Sequence, residues 1–270
     1  MGLNGKIALA LIMTILALSL LAPYIVSYDP DAIDLDSLRH PPSEKHLLGT
    51  DNKGRDILAR VLHGGKITIS IAVLAALISM TTGLFIGLMS GYFGGKLDMF
   101  FMSAVDLILA FPSLLLAIGV SVIFPPGIYT VMIALSAVGW APFARLIRGQ
   151  VIVLREASFV EAARSIGCSN KRILLVHILP QCIPLAFVMT GLKLGGYILT
   201  EAALSFLGLG PQPPAATWGS MISANRVFIS SAPWMVLSPG ILIAITALSF
   251  NILGDDLRDK HAVQRHDKSL

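Results

Sequence analysis

Six stretches of this chain are each long and apolar enough to cross a lipid bilayer as a helix. They cover residues 7–26, 67–89, 99–124, 128–147, 183–207 and 234–253, where a hydrocarbon core about 30 Å thick needs about 20 residues. Lipid offers the backbone no hydrogen-bond partner, so a segment that spans it must satisfy its own amides, as a helix does. Only 13% of the residues are charged, about half the share that coats a soluble domain. The expected fold is all-α: a polytopic integral membrane protein with about six transmembrane helices. Lys6 precedes the first run as in a signal peptide, but the run is long and no small-residue cleavage pattern follows, which favours a retained anchor.

Lysine and arginine placement sets the expected orientation. With the N-terminus inside, the cytoplasmic segments hold Lys6, Lys96, Arg145, Arg148, Arg155, Arg164, Lys171, Arg172, Arg258, Lys260, Arg265 and Lys268. The outer segments hold Arg39, Lys45, Lys53, Arg55, Arg60, Lys66 and Arg226, most of them in an aspartate-rich loop. Both termini are thus expected in the cytoplasm. The chain divides into an anchor helix and extracytoplasmic loop (1–66), a core (67–260) with a cytoplasmic loop at 155–181, and a cytoplasmic tail (261–270).

That cytoplasmic loop carries an organised pattern, SFVEAARSIGCSNKRILLVHILPQ at 158–181. Ser158 and Glu161 have the spacing of a capping box. Phe159, Ala162, Ala163 and Ile166 follow helical periodicity and predict one low apolar face. Gly167 suits the left-handed turn that stops a helix; Ser169 or Asn170 suits the start of a second, and Pro180 its end. From local chemistry alone the segment is either an amphipathic loop on the membrane surface or a docking element for another protein.

The order Glu161, Ala162, Ala163, then Gly167, then Leu179 and Pro180 resembles the signature loop of importer-type ABC permease subunits. His177, in "HILP", resembles the peptide and nickel branch of that family, although Gln181 stands where the branch usually has Asn. "LLGTDNKGRDILARVLHGG" at 47–65, "DLILAFPSLLLAI" at 106–118, "TEAALSFLGLGPQPPAATWGSMI" at 200–222 and "SFNILGDDLRD" at 249–259 resemble further segments of the same branch, in order. The tail departs, with "KHAVQ" where the family often has Asp-Pro. The resemblance implies a permease in a prokaryotic plasma (inner) membrane. Its loop would be a coupling helix seated on a cytoplasmic ATPase. The implied partners are a second permease subunit, one or two ATPase subunits and an extracytoplasmic substrate-binding protein. This chain would bind no cofactor, ATP and magnesium residing on the ATPases. Di- or oligopeptides are the implied cargo, with nickel or a metal chelate as the alternative. An ATP-independent channel or secondary carrier is the rival class, and that rival predicts internal repeats with interrupted helices at matching positions, which the sequence does not show.

No G-x-x-x-x-G-K-[ST], HExxH or G-x-S-x-G pattern occurs, so the sequence shows neither a phosphate loop nor these hydrolytic sites. Cys168 and Cys182 have no metal or disulfide spacing, and His46, His63 and His177 form no ligand cluster. Ser79, Gly83, Gly87 and Gly91 recur every fourth residue, the spacing of a close helix pair. Pro112 is expected to kink the third run. Asp106, Lys193 and Glu201 are ionisable residues inside apolar runs, where a charge costs roughly 2.5–3.5 kcal/mol. Each either lines a translocation path or is held by an ion pair or an interface, and Trp140 and Arg145 are further candidates for an inner vestibule. The loops 28–66 and 208–233 are expected to receive the binding protein, and Trp218 and Trp234 are alternatively interface aromatics.

Overall fold

The structure, a computed structural model, describes residues 2–267. In chain order the helices are α1 (Leu3–Leu20), α2 (Ala22–Ile25), α3 (Ile57–Phe93), α4 (Gly95–Leu109), α5 (Ser113–Ile123), α6 (Ile128–Arg155), α7 (Ser158–Ser165), α8 (Asn170–Arg172), α9 (Leu179–Phe206), α10 (Trp218–Asn225) and α11 (Trp234–Asp267). Five helical stretches are long and apolar enough to span, and the pair α4 and α5 makes a sixth only as a bent span. The all-α, polytopic architecture is therefore what forms.

The third apolar run is not one helix. α4 ends at Leu109, α5 starts at Ser113, and the two axes differ by 96°. Pro112 lacks the amide proton that would continue the ladder, and it forces the residue before it away from helical geometry. The expected kink is thus a full break. The boundary drawn at residue 66 falls inside α3, which starts at Ile57 because Asp56 caps it, its carboxylate accepting from the Ala59 amide at 2.7 Å. Of the expected tail, residues 261–267 continue α11. Side chains from 261 onward, Arg265 among them, and residues 268–270, including Lys268, lie outside the described residues.

Chain direction fixes the two ends of the bundle. Gly2, the α3–α4 corner, the α7 segment and the last turns of α11 share one end. There the Gly2 amide donates to Asp256 at 2.7 Å and the Tyr92 hydroxyl to Asn170 Oδ1 at 2.8 Å. The loops 26–56 and 207–233 meet at the other end. The Trp234 indole donates to the Thr50 carbonyl at 3.4 Å, and the Arg39 guanidinium lies 5.1 Å from the centre of the Phe228 ring.

Trp218 belongs to that loop assembly and is not an interface aromatic. It is fully buried, its indole donates to the Val61 carbonyl at 2.9 Å, and Thr217 caps its helix in a reciprocal bond with Ser220. The loop before α3 is held by Arg55 on Asp51 (2.7 Å), Arg60 on Asp31 (2.9 Å) and His46 on Asp56 (2.9 Å). Salt bridges of this kind, mostly buried, fix geometry more than they add net stability.

α3 and α6 form the tightest pair. A methyl group placed on Gly87 would stand 2.8 Å from the Ala144 carbonyl oxygen, and one on Gly91 would stand 2.8 Å from Val151 Cβ. Gly83 meets Phe143 and Trp140 in the same way, and Ser79, one turn earlier, is buried facing Gly139. Backbones that approach this closely trade side-chain volume for dispersion contact along the whole interface.

Candidate functional site

Two regions concentrate the residues singled out from the sequence. The first is the segment 156–181 at the end of the bundle that carries Gly2. α7 starts one residue earlier than a capping box on Ser158 requires. Ala157 is the cap and Ser158 is already helical, so the Ser158 hydroxyl makes no cap bond and Glu161, exposed, does not reach back. The apolar pattern also splits between two faces. Val160 and Ala163 turn inward onto a cluster with Ile173, Leu174 and Ile178. Phe159, Ala162 and Ile166 face out, with Phe159 41% and Ile166 81% exposed. The inward pair is smaller than Phe159 and Ile166, and it is buried because Ile173, Leu174 and Ile178 stand against that face of the helix.

Gly167 ends α7 with φ +82°, a conformation costly for other residues. The Cys168 amide returns to the Ala163 carbonyl at 3.0 Å and closes the turn. Ser169 then caps α8, its hydroxyl accepting from the Arg172 amide at 3.4 Å. Pro180 does not end this second helix. A π-helical stretch, Ile173–Ile178, leads directly into α9, with the Leu179 amide reaching back to the Leu174 carbonyl. The wider turn carries the chain through a residue with no amide proton to give. Leu179 packs on the inner cluster and Pro180 is exposed.

Sequence reading passed over the residues that tie this segment down. Tyr92, at the end of α3, holds Asn170 and stacks under the Arg164 guanidinium at 5.8 Å. Arg148 of α6 grips Asp98 of α4 through two bonds of 2.6 Å, and Ser90 of α3 donates to the same carboxylate. A tyrosine closing an apolar run, and an acid one turn into a helix, are the available signals.

The second region lies midway along the bundle. A cavity of about 340 Å³ opens between the α4–α5 break, α6 and α9, with Lys193 in its wall. The other proposed path residues lie elsewhere. Asp106 pairs with Arg145, both largely exposed. Trp140 packs among Ile86, Met102 and Ile108 against Val105, Ala141 and Ala144. Glu201 is fully buried beneath α10: its Oε1 accepts from the Ser205 hydroxyl at 2.7 Å, and that hydroxyl accepts from Thr217 at 3.3 Å. A further crevice of about 550 Å³ opens between α3, α6 and the loops at the far end, beside Asp31, His63 and Lys66.

Residues 83–260 match the family model described as "Binding-protein-dependent transport system inner membrane component". The chain is 40% identical over 254 residues to a putative peptide transport system permease protein of Brucella suis, covering 94% of this chain and 86% of that one. It is 39% identical over 249 residues to the glutathione transport system permease protein of Pectobacterium atrosepticum, covering 92% and 83%. To the oligopeptide transport system permease protein of Bacillus subtilis it is 38% identical over 255 residues, covering 94% and 84%. Among solved structures, the inward-facing MetNI methionine ABC transporter aligns with a TM-score of 0.56 at 16% identity, covering 74% of this chain and 95% of that one. An amino acid ABC transporter with histidines aligns with a TM-score of 0.54 at 22% identity, covering 74% and 93%. At these identities the two structures speak to the fold alone.

Proposed function

Because the chain belongs to the family of binding-protein-dependent transport system inner membrane components, we propose that it is the permease subunit of an ATP-driven importer of di- or oligopeptides. The relatives described above, named for peptide, glutathione and oligopeptide transport, support that cargo over nickel or a metal chelate. ATP hydrolysis belongs to separate ATPase subunits, which hold the ATP and magnesium. A second, different permease subunit completes the pore in a bacterial inner membrane, and an extracytoplasmic binding protein delivers cargo to the end formed by loops 26–56 and 207–233.

One observation carries the coupling role: α7 stands at the end of the bundle with Phe159, Ala162 and Ile166 facing out. A surface helix in water hides such a stripe unless a partner covers it. Its inner face is fixed to α3 and to the start of α9 through Tyr92, Asn170 and the inner cluster. A push on α7 therefore reaches two spanning helices. In this reading Glu161, Ala162, Ala163, Gly167, Leu179 and Pro180 form the coupling element. Glu161 and Ala162 meet the ATPase, Ala163 and Leu179 hold the element to the bundle, Gly167 sets its turn, and Pro180 widens its exit into α9.

Uptake of a labelled dipeptide, alongside pull-down of the ATPase at matched permease levels, tests the proposal. Gly167→Val strains the turn and is expected to lower both uptake and ATPase capture at least about tenfold. Glu161→Ala removes no cap bond, so it is expected to leave membrane insertion intact and reduce uptake through the lost contact. If both variants transport and assemble like the parent, the segment is only a surface amphipath.

A further inference from the structure

Lys193 sits where a cation has no ordinary place. α9 runs from Leu179 to Phe206, so at 1.5 Å per residue Lys193 lies about 21 Å along a helix about 42 Å long. It makes no hydrogen bond or ion pair among the described residues. Its neighbours in the cavity wall are Phe111, Ser113, Pro142, Tyr197 and Thr200, and no carboxylate lines the space.

Other features of the same cavity also suit an anion. The break at Pro112 leaves α5 starting in mid-span with no side-chain cap. Its first internal bond joins the Leu116 amide to the Pro112 carbonyl at 3.1 Å. The amides of Ser113, Leu114 and Leu115 therefore have no partner within the helix, and the positive end of its dipole lies at the cavity. Tyr197, only 7% exposed, lends the wall its ring, with the hydroxyl turned away toward Ser79 and Gly139. Half-helix N-termini in mid-membrane are a general device for meeting anionic groups during transport. The volume of about 340 Å³ lies in the range of small-molecule sites.

We propose that this cavity is a passing subsite for the carboxylate of the cargo, held by the Lys193 ammonium and by the amides that open α5. The proposal rests on the peptide-importer reading above. A single lysine in an otherwise apolar wall replaces part of the carboxylate's hydration, yet binds loosely enough to release it, as conduction demands. A lipid phosphate offers similar chemistry, but headgroups lie about 15 Å from the middle of the hydrocarbon core, so the cargo is the occupant assigned.

The test uses the complete transporter, reconstituted with its ATPase and binding protein in vesicles. Uptake of labelled Ala-Ala is compared with that of its C-terminal amide. The same binding protein serves every variant, so its own preference cancels when variants are compared with the parent. Lys193→Met is expected to lower the acid-to-amide uptake ratio about tenfold, the equivalent of about one charged contact. Lys193→Arg is expected to keep the ratio within about twofold of the parent, which a purely structural role would not reproduce. The ratio is expected to shift equally in phosphatidylcholine vesicles with and without phosphatidylglycerol. An unchanged ratio in Lys193→Met, or an equal fall of acid and amide, overturns the subsite while leaving the importer reading in place. A shift seen only with phosphatidylglycerol assigns Lys193 to lipid and also overturns it. If the parent, assembled and hydrolysing ATP, carries neither compound, the peptide reading falls and the subsite falls with it.

Discussion

Gly87 and Gly149 show how differently one residue type is used. A Cβ at Gly87 would press on the Ala144 carbonyl oxygen and Ile147 Cβ, each at 2.8 Å, whereas a Cβ at Gly149 would meet nothing within 4 Å. Gly87→Leu is therefore expected to destabilise the α3–α6 pair by about 1–3 kcal/mol or more. Gly149→Ala is expected to change stability by less than about 1 kcal/mol, in the favourable direction, since alanine is the better helix former. Thermal unfolding in detergent, with the yield of intact complex as a second readout, checks both. If Gly87→Leu unfolds with the parent, the close approach described for α3 and α6 is wrong. The four-residue spacing of Ser79, Gly83, Gly87 and Gly91 was the visible signal for this contact. Gly139 gave none: an isolated glycine inside a helix does not reveal that Ser79 and Tyr197 close on it from two other helices.

Between elements, the Asp98–Arg148 pair does what no single helix does. It joins the start of α4 to α6, and through Ser90 to α3, at the corner that leads toward α7. Asp98→Asn leaves Arg148 partly buried without its charge partner and is expected to cost about 1–3 kcal/mol. Combined with Arg148→Met, the loss should be clearly less than the sum of the two single losses, because each removes the same contact. Additive losses in a double-mutant cycle on detergent unfolding would show that the two groups do not interact. The elements themselves were largely legible, because lipid-spanning helices announce themselves by length and polarity. Three features were not. The break between α4 and α5 depends on packing that holds a 96° turn after Pro112 has removed the hydrogen bond. The π stretch before Pro180 is an accommodation that periodicity does not encode. The inward face of α7 was misassigned because Val160 and Ala163 compete with Phe159 and Ile166 for the core, and only the position of Ile173 and Leu174 decides between them. Lys193 and Glu201 looked alike in the sequence as ionisable residues in apolar runs. In the structure one lines a cavity and the other is sealed under α10 by Ser205, because the loop after α9 folds α10 back over the C-terminal end of α9 alone.

For the molecule as a whole, the bundle has two chemically unlike ends. At one, Arg55 and Arg60 are locked onto Asp51 and Asp31 within a folded loop. At the other, Arg164, Lys171, Arg172, Arg258 and Lys260 are exposed close to the helix ends. The orientation rule counts lysine and arginine flanking the spans and gives acids little weight, so the second end is the one expected to stay in the cytoplasm. Cysteines at Lys45 and at Arg164, each introduced singly with Cys168 changed to Ser, place this on a measurable footing. Both positions are exposed and belong to opposite ends of the bundle, while Cys182 is buried and the Cys168→Ser parent supplies its background. An impermeant maleimide added to intact cells, with the outer membrane made porous where there is one, should label Lys45→Cys at once. It should reach Arg164→Cys only after the inner membrane is opened. Labelling of Arg164→Cys from outside, with Lys45→Cys protected, would invert the molecule. α7 would then face away from any cytoplasmic ATPase, and the coupling proposal would fall with the orientation.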